Sequence, residues 1–242
     1  DMGERQGDIA AYEDFLLRSE QRALRDTVSV SLAMLHAENQ NFDRPLELYG
    51  ETLRRSPQLI PEVLFRMGQT LEADESTEAA QQKWKQLIGS YPSHPRALQA
   101  VWKLPNRTGP REAYGRAVVF YLHGQLSRAA RTCLKFLAQY PRHQLASQAE
   151  FDLGRAYLAS RQYAKAEKTF ARVHRKYQIP AALYRIAGIQ VRRNKDQQAT
   201  RTYEEFAAQY PHHELAPRAL WQAAKAAERN HRFESAAHYY AE

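Results

Sequence analysis

The sequence predicts an all-α, tetratricopeptide-like solenoid, a right-handed superhelix of antiparallel helix pairs, and three observations predict it. Amphipathic helix patterns follow one another along the chain, and no stretch alternates apolar and polar residues as a strand would. The patterns recur in pairs at intervals of about 34 residues, the period of helix–turn–helix repeats. Tyr-Pro pairs separate several of them, because the residue before a proline is disfavoured in a helix.

The clearest pair of helix patterns lies within residues 140–177. Its first helix carries Gly154 and its second carries Ala166, two small residues that would let antiparallel helices approach closely. Other pairs repeat this arrangement in register. We therefore predict a single solenoid over residues 1–242 with about six units: a partial unit at 1–25, units at 26–60, 61–93, 110–146, 147–179 and 180–216, and a truncated unit at 217–242.

One interval exceeds the repeat period because of an insertion at residues 94–109. Its pattern predicts a short helix from Pro95 to Lys103, followed by a loop with proline and glycine. In the first full unit, Pro45 stands where the other units have a small alanine, in the first turn of a helix, where proline is tolerated. Since the sequence ends inside a second helix, we expect a fragment of a longer protein.

The chain has a formal net charge of +8, with its basic residues spread along the sequence. The densest runs, at 172–176 and 192–195, fall where helices should end, and cations there complement the helix dipole. An acidic partner is the other interpretation of the charge. The single cysteine, Cys133, excludes an internal disulfide. No run approaches the roughly 18 apolar residues of a membrane span.

Motifs that carry catalysis are absent from the sequence. It contains no glycine-rich phosphate loop, no His-Glu-x-x-His, no Gly-x-Ser-x-Gly and no Cys-x-x-Cys. The nine histidines are scattered, and the pair His212 and His213 is interpreted as part of a solvated turn between units. We predict no catalytic residue, no metal site and no cofactor, so this chain is not expected to be an enzyme.

A recurring aromatic residue marks one phase of the first helix in each predicted unit. These rings, with basic residues beside them or one helical turn further on, form a candidate binding ladder on the concave face: Phe65, Arg66, Tyr114, Phe151, Arg155, Tyr184, Arg185, Trp221 and Lys225. The functional interpretation is a groove that binds sugars or an extended peptide. The structural interpretation is that the rings pack between successive units.

Two segments carry a resemblance to known proteins: LAQYPRHQLASQAEFDLGRAYLASRQYAKAEKTF and AAQYPHHELAPRALWQAAKAAERNHRFESAAHYY. They resemble the tetratricopeptide (TPR) repeats of bacterial envelope proteins, above all those in the superhelical region of soluble lytic murein transglycosylases. That resemblance implies a periplasmic, non-catalytic scaffold that binds protein, peptide or peptidoglycan glycan strands. The family's catalytic Glu-Ser and Gly-Leu-Met-Gln motifs do not occur together here, so any enzyme would lie elsewhere in the parent protein.

A second class of envelope protein stays open as an alternative. The chain also resembles free-standing periplasmic TPR adaptors of the outer-membrane assembly or Tol-Pal type, which mediate protein–protein interactions. The Lys/Asn/Arg set with which carboxylate-clamp TPR adaptors hold acidic peptide tails is absent at the corresponding phases. Nucleic acid is disfavoured as a partner, because no basic stripe follows one helical phase and acidic residues are interspersed.

Overall fold

The structure, a computed structural model, describes residues 2–106 and 109–241, and the side chains of all of these except 2–5, 22, 23 and 241. Within the described residues the chain forms α-helices and one 3-10 turn and no strand. The predicted all-α TPR-like fold is confirmed. The chain divides into two compact units, residues 1–123 and 124–242. Their boundary falls inside the predicted repeat 110–146.

The first unit contains seven helices and the 3-10 turn Pro57–Leu59 within its described residues. The helices are α1 (Met2–Arg18), α2 (Arg22–Glu38), α3 (Asp43–Arg55), α4 (Ile60–Ala73), α5 (Thr77–Ser90), α6 (Pro95–Lys103) and α7 (Pro110–Leu122). Helices α2 and α3 form one antiparallel pair, and α4 and α5 form another. Pro45 lies buried in the first turn of α3. Backbone N–H groups there have no acceptor within the helix, so a proline costs no helical hydrogen bond.

The second unit contains seven helices within its described residues. They are α8 (Leu126–Gln139), α9 (Ala146–Ala159), α10 (Tyr163–Tyr177), α11 (Pro180–Arg192), α12 (Asp196–Gln209), α13 (Ala216–Arg229) and α14 (Phe233–Ala241). Each packs against the next along the chain. The buried residues of α10 to α14 form one apolar core, in which Phe170, Val173, Ala199 and Phe206 are fully covered, and partly buried residues of α9 pack against it.

The turn inside each helix pair has one conformation throughout the chain. In the five pairs α2–α3, α4–α5, α9–α10, α11–α12 and α13–α14, a single residue adopts the left-handed region with φ between 55° and 59°, as Arg161 and Asn194 do. In the turn after α9, the Arg161 N–H donates to the Leu158 carbonyl and the Gln162 N–H donates to the Tyr157 carbonyl. This pair of bonds satisfies carbonyls that the helix end leaves free. Because none of these five positions is glycine, glycine patterns alone would not locate the turns.

The turns from α8 to α9 and from α12 to α13 share one histidine contact. Nδ1 of His143 accepts a hydrogen bond from the Leu145 N–H at 3.1 Å, and Nδ1 of His213 accepts one from the Leu215 N–H at 3.1 Å. Each histidine follows a Tyr-Pro pair and precedes a helix start. The interpretation of His213 as a solvated loop residue therefore needs correction: its ring is half-buried and packs edge-on against Phe206, with the ring centroids 5.4 Å apart.

The helix inside the insertion, α6, spans Pro95–Lys103 and is anchored to α4 by ion pairs. The Arg96 guanidinium donates from Nη2 to Oε1 of Glu62 at 2.8 Å. Nζ of Lys103 lies 2.6 Å from Oε2 of Glu72. These ion pairs anchor both ends of α6, which is a single helix and not part of a repeat pair.

Candidate functional site

The ladder residues of the first unit are mostly used in packing. Phe65 is only 4% exposed, and the Arg96 guanidinium lies 5.1 Å from its ring centroid. Arg66 donates from Nε to Glu62 at 2.9 Å, and Tyr114 is half-buried on α7. Burial alone would raise the pKa of Glu62, but hydrogen bonds from Arg96 and Arg66 outweigh it and lower that pKa. Phe65 is therefore not available as a binding surface.

In the second unit two ladder rings are half-buried and the last one is exposed. Phe151 packs edge-on against Phe170, with the centroids 5.3 Å apart. Tyr184 is half-buried against Tyr203, also at 5.3 Å. Trp221 is 50% exposed, although it occupies the same repeat phase as the other two. Phe151 therefore packs against a neighbouring helix, as the structural interpretation of the ladder expects. Trp221, in contrast, is accessible to a partner.

The basic ladder residues of this unit differ in how they are paired. Arg155 donates to Oδ1 of Asp152 at 2.8 Å. Lys225 forms an ion pair with Glu228 at 3.1 Å and lies 5.8 Å from the centroid of Trp221. Its pKa is raised by hydrogen bonding to Tyr240 and to Glu228. Arg185 is exposed, and within the described residues it has neither an ion pair nor a hydrogen bond.

A pocket of about 400 Å³ lies among α11, α12 and α13 and includes two of the predicted site residues, Tyr184 and Arg185. We call it the arginine pocket. Its lining residues are Tyr184, Arg185, Gly188, Val191, Arg192, Tyr203, Arg218 and Gln222. This set contains three guanidinium groups and no carboxylate.

Electrostatic effects of the arginines reach the base of the arginine pocket. Tyr203 is 3% exposed, and burial raises its pKa to about 12, while the positive charges of Arg192, Arg229 and Arg218 oppose that rise. Gly188 lines the space beside Tyr203, and a Cβ at that position would make an ordinary contact with the Tyr203 hydroxyl at 3.5 Å. The pocket is therefore positively charged, with hydrogen-bond donors around its base.

A smaller pocket in the first unit has a different charge pattern. It measures about 300 Å³ and lies between α2 and α4, where Arg66 is the single cation of its lining and Glu38 supplies a carboxylate. Tyr49 is buried at its base, and this burial raises the pKa of Tyr49 to about 12. Since Arg66 is already paired with Glu62, this pocket offers an incoming anion little free charge.

The two units also differ in overall charge. Residues 124–242 contain 20 of the 35 Lys and Arg but 10 of the 27 Asp and Glu, which gives a formal net charge of +10. The remaining residues, 1–123, then have a formal net charge of −2. The positive charge of the chain therefore belongs to the unit that contains the arginine pocket. An asymmetry of this kind points to an acidic partner for one part of a chain.

Comparison with known sequences gives one family match. Residues 62–94, 148–178 and 181–213 match the sequence model of the tetratricopeptide repeat. These segments cover the helix pairs α4–α5, α9–α10 and α11–α12. The fold is a tetratricopeptide solenoid. No curated protein sequence matches the chain.

Solved structures show a TPR fold similar to that of this chain. Two crystal forms of MamA AMB-1 align with TM-scores of 0.54 and 0.52, at 15% and 13% identity. The alignments cover 67% and 66% of this chain and 89% and 92% of MamA. PilW, a widely conserved type IV pilus biogenesis factor, aligns at a TM-score of 0.48 and 14% identity over 89% of this chain and 90% of its own. At identities this low, the two MamA alignments show the shared fold alone.

Three further observations concern metal binding, membrane crossing and the single cysteine. Among the described residues, no three His, Cys, Asp or Glu side chains group so that they could hold a metal ion. None of the described helices combines the length and the apolar character needed to cross a membrane. Cys133 is buried, and burial raises its pKa to about 12, so its thiol is a poor nucleophile.

Several arginine-pocket residues are missing from the predicted ladder, namely Arg192, Tyr203, Arg218 and Gln222. Arg192 lies two helical turns after Arg185, so helical spacing could have placed it on the same face. Arg218 is on another helix at a different repeat phase. Arg185 and Arg218 do not form a basic stripe at one repeat phase. They share a pocket only because α11 and α13 lie near each other in the fold. The charge difference between the two halves was the available signal.

Proposed function

We propose that the chain is a non-catalytic helical-repeat scaffold that binds a protein partner through the first helices of its repeats. The observation that carries this proposal is the surface of α11 and α13, where Arg185 is unpaired and Trp221 is half exposed. Tryptophan and arginine are enriched among the residues that contribute most to protein interfaces. The exposure of Trp221 contrasts with the burial of Phe65, which has the same repeat phase. The TPR solenoid is also a fold typical of non-catalytic scaffolds.

Site-specific photo-crosslinking in the source cells tests this proposal. A photoreactive amino acid replaces Trp221 in one version of the chain and Glu204, which is exposed on α12, in a control version. We expect a defined crosslinked protein from position 221 and none of that mass from position 204. Equal crosslinking at both positions, or none at position 221, would contradict the proposal.

For the cellular setting, we propose a periplasmic TPR adaptor of the bacterial envelope. Support comes from the resemblance of the segments at 137–170 and 207–240 to envelope TPR proteins. Fractionation of the source cells checks this: the chain should be released with periplasmic markers, and its recovery with cytoplasmic markers would exclude it.

The superhelical region of a lytic murein transglycosylase is the second candidate. The comparisons give this assignment no support, and it rests on the resemblance together with the +10 charge of residues 124–242, which suits polyanionic murein. Cosedimentation with purified sacculi separates the two candidates. An adaptor should stay in the supernatant. If the chain pellets with the sacculi, and the double variant Arg185→Gln with Arg218→Gln does not, the assignment as a glycan-binding superhelical region replaces the assignment as an adaptor.

A further inference from the structure

We infer that the arginine pocket binds the carboxylate side chains of an acidic segment in the protein partner. This inference rests on the proposed function and adds the chemistry of the partner. It assigns the contacts to Arg185, Arg192 and Arg218, with the phenols of Tyr184 and Tyr203 at the base. Internal Asp and Glu side chains are the ligand, presented by an extended peptide that crosses from α11 to α13.

Pairing of the other arginines in this unit supports the inference. Where an arginine faces a neighbouring helix, a carboxylate meets it: Arg172 binds Glu150, Arg193 binds Glu167, and Arg229 binds Asp196. Arg185 and Arg218 face the pocket, and neither has an ion pair or a hydrogen bond within the described residues. Arg192 donates one N–H to the Gly188 carbonyl at 3.2 Å and keeps its other donors free. The repeats therefore neutralise arginines at helix contacts and leave this group unneutralised.

The donors and acceptors in the arginine pocket define what it can bind. A guanidinium group has five N–H donors and no acceptor, and its planar fork matches a carboxylate in a bidentate geometry. Three such groups require a ligand that supplies acceptor oxygens and negative charge. The +10 charge of residues 124–242 would attract such a ligand from a distance.

Apolar surface beside the arginines favours a peptide over a nucleic acid. Val191 lines the pocket, and Trp221 lies on the same helix as Arg218 and Gln222 and is half exposed. Such surface suits the aliphatic part of a peptide side chain. Nucleic-acid sites instead extend positive charge along a backbone track. Here the unpaired arginines converge on one cavity of about 400 Å³.

Fluorescence anisotropy with the whole chain tests the inference. The probe is a short fluorescein-labelled peptide with the core Glu-Glu-Leu-Glu-Glu, and its control has Gln in place of each Glu. We expect binding of the acidic peptide and at least about a tenfold weaker affinity for the Gln peptide. Equal binding of the two peptides would overturn the inference.

Two arginine variants separate the pocket from the general positive field. Arg185→Gln with Arg218→Gln removes two charges from the pocket. Arg131→Gln with Arg201→Gln removes two charges from exposed positions on α8 and α12. We expect about a tenfold loss of affinity for the first and little change for the second. An equal loss for both would show attraction by net charge and would overturn the inference.

A third variant, Gly188→Leu, fills the pocket without changing the charge. The position tolerates a Cβ, with 3.5 Å to the Tyr203 hydroxyl and 3.6 Å to Nη1 of Arg192, so a larger side chain projects into the pocket. We expect Gly188→Leu to lower the affinity for the acidic peptide and Gly188→Ala to lower it less. Both variants should keep cooperative thermal unfolding. Undiminished binding to Gly188→Leu would overturn the inference. If Gly188→Leu does not fold, the arginine variants alone decide.

Failure of this inference is distinguishable from failure of the proposed function. A protein crosslinked at position 221, together with no affinity for the acidic peptide, leaves the scaffold in place and rejects the acidic ligand. Tighter binding of a single-stranded oligonucleotide than of the peptide, with sensitivity to the same two arginines, also rejects the acidic peptide and assigns the pocket to nucleic acid.

Discussion

Gly154 on α9 lies directly against the ring of Phe170 on α10. A Cβ at position 154 would lie 2.8 Å from Cε1 and 2.9 Å from Cζ of that ring. Carbon atoms in ordinary contact lie about 3.5–4.0 Å apart, so the ring occupies the place of a side chain. Since Phe170 is fully buried in the core, it cannot move aside without disturbing its neighbours.

Gly154→Ala should therefore destabilise the protein. Overpacking of a core costs about 1–3 kcal/mol, and the better helix propensity of alanine offsets up to about 1 kcal/mol of this. We expect a net loss of about 1–2 kcal/mol in the free energy of unfolding, measured by urea denaturation. An unchanged or raised stability would show that α9 and α10 do not approach this closely.

The matched control is Gly188→Ala on α11, where the added methyl group has room. Its nearest neighbour would be the Tyr203 hydroxyl at 3.5 Å, an ordinary contact distance. We expect an increase in stability of up to about 1 kcal/mol, because alanine is the better helix former. A loss comparable to that of Gly154→Ala would contradict the open space assigned to the pocket.

Arg161→Gly should stabilise the turn between α9 and α10. Arg161 has a φ of 58°, a region that costs a residue with a Cβ about 1 kcal/mol and that glycine adopts freely. We expect a gain of about 0.5–1 kcal/mol in urea denaturation. Asn194→Gly, at φ 56° in the next turn, is the control and should gain less, because asparagine tolerates this region. Equal gains would refute the backbone explanation.

His213→Ala should destabilise the start of α13. The change removes the acceptor for the Leu215 N–H and the edge contact with Phe206. We expect a loss of about 1–2 kcal/mol in the free energy of unfolding. His213→Asn, which keeps an acceptor, should lose less. His212→Ala, at the exposed neighbouring position, should leave stability unchanged, and a similar loss there would contradict the specific role of His213.

Stability should fall at alkaline pH because of buried tyrosines. Burial raises the pKa of Tyr203 from 10.0 to about 12, so the folded protein binds this proton more tightly than the unfolded chain. The resulting stability is fully present below pH about 10 and is lost as pH rises towards about 12. It amounts to roughly 2–3 kcal/mol. Tyr203→Phe should therefore show a shallower decline across this window, and an unchanged decline would place Tyr203 in water.

Much of the fold could be predicted from the sequence because its signals are local. Gly154 acts through the next helix of the same pair, and the Tyr-Pro pairs and the proline at the start of α11 act through the neighbouring backbone. The helix at Pro95–Lys103 is likewise encoded by its own proline and apolar spacing. The left-handed turns were less visible, since five of them use residues such as Glu75 and Arg161 in place of glycine.

The candidate site could be predicted only in part. Repeat phase identifies Tyr184 and Arg185, because both lie on one helix at a recurring position. It cannot tell the buried Phe65 from the half-exposed Trp221, because exposure depends on what packs against each helix. Arg218 reaches the arginine pocket from another helix, so its role depends on tertiary packing that no spacing rule encodes.

The central claim is that an acidic segment of a protein partner binds across α11 and α13. Hydrogen–deuterium exchange of the whole chain, with and without a saturating amount of the Glu-Glu-Leu-Glu-Glu peptide, tests it most directly. We predict slower exchange in Pro180–Arg192 and Ala216–Arg229 when the peptide is bound, with α8 and α10 unchanged. Protection confined to other helices, or the same slight protection across the whole second unit, would contradict the claim.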